Sequence, residues 1–94
     1  MHIAIRFFAT FRDRVDRRSL SIEFEPGVQP TAVDVLTRLE RDYSQLTELT
    51  TGDGEIAVTV TVLHNGRFVD RNTPDDVVLE DGDELALSPP LTGG

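Results

Sequence analysis

The chain has 94 residues, enough for one domain and no second. At 38% hydrophobic residues it can form one modest core, and no apolar run approaches the roughly 20 residues of a membrane span. Cysteine is absent, which excludes disulfides, thiolate metal sites, a thiol nucleophile and a persulfide on this chain. The formal charge is −8, all nine basic residues are arginine, and no lysine is present. Residues 1–47 are neutral overall, so the whole deficit falls in residues 48–94. Direct nucleic-acid binding is therefore not expected. The acidic, lysine-free composition fits a high-salt cytoplasm. With no signal-peptide pattern, the chain reads as a soluble cytoplasmic protein, expected as a monomer.

Residues 2–8 alternate as a strand, with Ile3, Ile5 and Phe7 toward a core and Phe8 on the opposite face. Phe11 folds back under the following turn. Residues 12–18 mix four arginines with two aspartates, the pattern of a solvated turn. Residues 19–24 form a second strand, with Leu20, Ile22 and Phe24 on one face, pairing with the first as a hairpin. Pro26-Gly27 ends it. Thr31 and Asp34 make a capping box for a helix running to about Tyr43. Its helical spacing runs Val33, Leu36, Leu39 (or Glu40) and Tyr43, flanked by Ala32 and Val35.

Residues 44–55 read as a loop, with a short helical turn expected at 45–49. Residues 56–63 carry the strongest strand signal, five consecutive β-branched residues at 58–62. Asn65-Gly66 is a type I′ turn signature, so residues 67–69 pair back as a short strand. Residues 74–79 connect, and Asp81-Gly82 turns the chain into the last strand, where Leu85 and Leu87 face one way and Glu84, Ala86 and Ser88 the other.

Pro89-Pro90 stops that strand, because proline has no amide hydrogen and its ring fixes φ. Six residues from Pro89 to Gly94 can reach about 20 Å. Glycines at 93 and 94 let the backbone lie flat in a narrow channel and leave the terminal carbonyl without a neighbouring side chain. A bare Gly-Gly ending also reads as a frayed end or an expression remnant; the preceding Pro-Pro shifts the reading toward function.

The ending Asp81-Gly82-Asp83-Glu84-Leu85-Ala86-Leu87-Ser88-Pro89-Pro90-Leu91-Thr92-Gly93-Gly94 resembles that of the molybdopterin synthase small subunit, the thiamine sulfur carrier and the ubiquitin-like small archaeal modifier proteins. The opening Ile3-Ala4-Ile5-Arg6-Phe7-Phe8-Ala9 and Arg12 look like the family's first strand and turn, so the resemblance covers essentially the whole chain. It implies an α+β fold, the ubiquitin-like β-grasp: a mixed sheet of four to five strands, first and last parallel neighbours, one main helix packed across it. Residues 1–88 would be the domain and 89–94 a flexible tail. It also implies a carrier rather than an enzyme, with no bound cofactor. A ubiquitin-activating-like enzyme would use ATP to adenylate Gly94, next to Gly93. Sulfide carried on another protein would then give a thiocarboxylate for sulfur transfer, or a target-protein lysine an isopeptide. Pro89, Pro90, Leu91 and Thr92 would thread the partner, Phe8 and Leu87 would dock, and Arg12 would lie at the partner surface. The molybdopterin synthase large subunit is a further implied partner. Ser88 departs from the large apolar residue relatives often carry before Pro-Pro. A β-grasp interaction module with an incidental tail is the alternative.

His2 and His64 have no cysteine or carboxylate at ligand spacing and read as polar strand-edge residues. Seven acids between Asp70 and Glu84 read as a solvated face. Because the tail lies in the acidic half, encounter would be steered toward a basic surface at low salt; in a high-salt cytoplasm that steering fades, and the lysine-free composition favours apolar contact by Phe8, Leu87 and the prolines.

Overall fold

The computed structural model describes residues 1–90. Strand β1 (His2–Phe7) is followed by helix α1 (Thr10–Val15), strand β2 (Ser19–Glu23) and helix α2 (Ala32–Asp42). Strands β3 (Thr61–His64), β4 (Arg67–Phe68) and β5 (Glu84–Ser88) complete a five-stranded sheet of order β2-β1-β5-β3-β4. The β1–β5 pair is parallel, Ala4 opposite Glu84 and Phe7 opposite Leu87, and the other pairs are antiparallel. This is the β-grasp, with the chain's last strand at the centre of the sheet.

Period-2 alternation puts Ile3, Ile5, Phe7, Ile22, Val62, Leu85 and Leu87 on one face. They join Ala32, Val35, Leu36 and Leu39 of α2 in a single core. The buried stripe of α2 is thus Ala32, Val35, Leu36 and Leu39, and Val33, expected on it, is only partly buried. The helix starts as expected: Asp34 N donates to Thr31 Oγ1 at 3.4 Å, and Thr31 N donates to Asp34 Oδ2 at 2.9 Å. Asn65 and Gly66 both take positive φ, 50° and 87°, as the β3–β4 turn requires.

Three local expectations fail for physical reasons. The charged segment after β1 is partly helical: Phe11 and Val15 are buried four residues apart, which orders α1 against the core while its arginines stay outside. The segment 45–49 forms no helical turn. Glu40 accepts instead from Leu49 N (3.0 Å), Thr50 N (3.3 Å) and Thr50 Oγ1 (2.6 Å), leaving Leu46 and Leu49 buried in an irregular loop.

The strand expected over 56–63 is confined to Thr61–His64. Its ladder with β5 ends at Thr61 opposite Ser88, because Pro89 and Pro90 have no N–H to extend it. The backbone before Thr61 finds other partners. Ile56 N donates to Arg71 O (2.9 Å), Ala57 N to Leu49 O (2.8 Å), and Arg71 Nη1 to Ala57 O (2.5 Å). Val58, at the turn, is 72% exposed.

Candidate functional site

Parallel pairing brings the ends of β1 and β5 to the same edge of the molecule. Phe8 N donates to Leu87 O at 3.0 Å, tying the residue after β1 to the strand that delivers the tail. Pro89 is then half-buried and Pro90 exposed. The chain therefore leaves the core and reaches the surface within two residues of Ser88. Leu91, Thr92, Gly93 and Gly94, assigned to threading and to the chemistry, lie outside the described residues.

The sheet face opposite α2 has no layer over it among the described residues. Register sets its side chains in rows. One row runs Ser19, Arg6, Ala86, Leu63 and Phe68; the next runs through Ser88 and Thr61 beside Phe8. Phe8, Thr61, Leu63, Phe68 and Ser88 line a shallow cavity of about 310 Å³ immediately beside the tail exit. Phe8 is 40% and Phe68 67% exposed. Phe8 is held from its other side by Arg6, whose guanidinium carbon lies 5.2 Å from the ring centroid. At Ala9 the backbone turns with φ 51°, a left-handed value uncommon for a residue with a Cβ, and this sharp turn follows Phe8 directly.

The expected docking residues are thus divided. Phe8 is exposed beside the tail exit, and Arg12 is exposed on α1. Leu87 is not a docking contact: it is 0% exposed and packs in the core, because its position on β5 points toward α2. Leu63 and Phe68 stand on the open face instead, and the sequence reading singled out neither as a site residue. The available signal was the Asn65-Gly66 turn, which fixes Leu63 opposite Phe68; the side they share follows only from the pairing of Leu63 with Ala86.

At the far end of β5, Asp83 is more than a surface acid. Its carboxylate lies 2.8 Å from His64 Nε2 and accepts from Asn65 Nδ2 (3.1 Å) and Glu80 N (2.9 Å). Burial pushes the Asp83 carboxyl up, but the hydrogen bonds from His64, the Glu80 amide and Asn65 outweigh it and hold it below the ordinary 3.8. His64, expected to be an ordinary strand-edge residue, has a carboxylate partner that lies 19 positions away in sequence. The cluster anchors the start of the tail-bearing strand.

The ThiS family profile matches residues 5–94. The chain belongs to the ThiS family. It is 38% identical to small archaeal modifier protein 3 of Haloferax volcanii, with 100% of both chains covered. To the molybdopterin synthase sulfur carrier subunit of Drosophila melanogaster it is 28% identical, over 100% of this chain and 92% of that one. The crystal structure of SAMP1 from Haloferax volcanii matches with a TM-score of 0.76 at 26% identity, covering 100% of both chains. These relatives are small modifiers and sulfur carriers, not enzymes themselves. Among the described residues, no helix of this ThiS-family chain is long and apolar enough to cross a membrane.

Proposed function

We propose that this ThiS-family chain is a ubiquitin-like carrier whose Gly94 carboxylate is the group acted on. A carboxylate is a poor electrophile, because resonance stabilises it. A ubiquitin-activating-like partner would let a carboxylate oxygen attack the α-phosphorus of ATP, releasing pyrophosphate and leaving an acyl-adenylate. AMP is then the leaving group. Attack by the terminal sulfur of a persulfide on another protein expels AMP and gives an acyl disulfide; a second thiol of that protein then cleaves its S–S bond, forming a protein disulfide and freeing a thiocarboxylate, which can donate sulfur in molybdopterin or tRNA thiolation. Attack by a lysine amine gives an isopeptide bond to a target protein.

One observation carries this reading. The central strand of the sheet leads straight out through Pro89-Pro90, beside an uncovered apolar face of Phe8, Leu63 and Phe68. That layout supplies a docking surface and an extended substrate segment side by side. A partner holding the face has the tail entering its own site, with the molybdopterin synthase large subunit a second partner of the same kind. Similarity to a modifier at 38% and to a sulfur carrier at 28% supports both fates of the adenylate.

Mass spectrometry of the protein from its own cells tests it. A terminus with one oxygen replaced by sulfur supports sulfur donation, and Gly-Gly remnants on lysines of other proteins support conjugation. A plain carboxylate throughout, with no remnants, would favour an interaction module with an incidental tail.

A further inference from the structure

The charge beside the tail is not that of the tail's half of the sequence taken whole. The tail belongs to the acidic half, residues 48–94. The sheet, however, sends four of the ten acids of that half to the end away from the tail. Glu84 pairs with Ala4 near the start of β1, and Gly82 N donates to His2 O. Glu80, Asp81, Asp83 and Glu84 therefore gather at the β1 start, where Glu23 of β2 also lies opposite His2.

On the β2 side of the tail end the balance is the reverse. The α1 segment follows the end of β1, and Phe7 N donates to Arg18 O at the start of β2. Arg18 thus sits two strand spacings from β5, roughly 10 Å across the sheet. Arg12, Asp13, Asp16, Arg17 and Arg18 line one shallow surface cavity of about 280 Å³. With Arg14, this is four arginines against two aspartates on a chain of net charge −8.

These cations carry no ion pair among the described residues, although the Arg14 guanidinium carbon lies 5.1 Å from the Phe11 ring centroid. Arg38 and Arg41 pair with Asp42, and Arg6 with Glu84. Among the described residues, Arg12, Arg14, Arg17 and Arg18 have no carboxylate within ion-pair distance, although Asp13 and Asp16 stand among them. Four arginines held together without internal ion pairs on the β2 side of the tail end, on a chain of net charge −8, form a cationic patch.

We propose that this arginine patch docks on an acidic surface of the adenylating partner, around the mouth of the channel that takes the tail. The inference rests on the proposed function and specifies the partner's charge. It differs from the expectation of a basic partner: on the β2 side of the tail end arginines outnumber acids, so that side favours negative potential. A partner protein is favoured over RNA because the remainder of the chain would repel a phosphate backbone.

The test uses the full-length chain and the adenylating enzyme of the same organism, with association followed by stopped flow across salt concentrations. At low salt, Arg17→Glu/Arg18→Glu is expected to lower the on-rate about tenfold. Both side chains are exposed, so the melting temperature should not move. Glu25→Arg/Glu80→Arg, at the other end, should not lower the on-rate. Near 1 M salt the variants should converge with the unmodified chain, as the Debye length falls to about 3 Å. An on-rate unchanged or raised by Arg17→Glu/Arg18→Glu overturns the proposal, as does tighter binding of a single-stranded RNA than of the enzyme through the same arginines. If the unmodified chain forms no adenylate at all, the proposed function fails; if it forms one while these variants associate at equal rates, only the charge assignment fails.

Discussion

Phe68→Ala separates docking from folding most cleanly. A phenylalanine side chain covers about 150–250 Å² when enclosed. At 67% exposed, Phe68 has about 130 Å² left to lose on docking, worth at most ~3 kcal/mol at ~25 cal/mol/Å². The third already buried corresponds to about 1.5 kcal/mol as an upper bound, part of which the alanine methyl retains. The expected loss of binding is therefore about 1–3 kcal/mol, a roughly 5- to 150-fold rise in Kd for the adenylating enzyme. The expected loss of stability is under ~1 kcal/mol, at most about 4–8 °C in Tm for a domain of this size. Isothermal titration calorimetry and thermal melts on the same samples read both. An unchanged Kd would show that the open sheet face is not the docking surface. A fall in Tm well beyond 8 °C would show that Phe68 is structural.

Leu87→Ala should do the opposite: with the side chain fully enclosed, it should cost about 2–5 kcal/mol of stability. A melt within about 4 °C of the unmodified chain would contradict the core assignment. Asp83→Asn tests the anchor of β5. A carboxyl whose folded value is depressed stabilises the fold above its unfolded value and loses that contribution as pH falls through the folded one. The variant's deficit in denaturant melts should thus be full at pH 7 and shrink below about pH 4; a deficit constant down to pH 2 would refute the Asp83 assignment. Because no lysine is present, copies of this chain cannot be linked through their own side chains. Tandem mass spectra showing a side-chain branch between two copies would contradict that.

What the sequence revealed depended on the range over which each structure is decided. The capping box at Thr31 and Asp34 and the Asn65-Gly66 turn are decided within four residues, and both formed as written. The faces of β1 and β5 were legible because a strict alternation admits one buried side. The strand at 58–62 was misplaced because β-branching is only a bias. The decisive fact was that β5, its ladder partner, runs out of donors at Pro89. Leu87 was misread as a contact because its closeness to the tail in sequence outweighed its inward parity with Leu85. Phe68, the arginine patch on the β2 side of the tail end and the His64–Asp83 pair were invisible for a common reason: each depends on which strands lie side by side. The uneven charge was visible, but the place of the arginines relative to the tail followed from the parallel β1–β5 pairing.

The central claim is that activation takes place at Gly94. ATP–pyrophosphate exchange by the adenylating enzyme, measured with the full chain and with a form lacking Gly93 and Gly94, tests it most directly. The full chain should support exchange, and the shortened form should support none while melting at the same temperature, since the core of the described residues is complete by Leu87. Equal exchange by both forms would contradict the account.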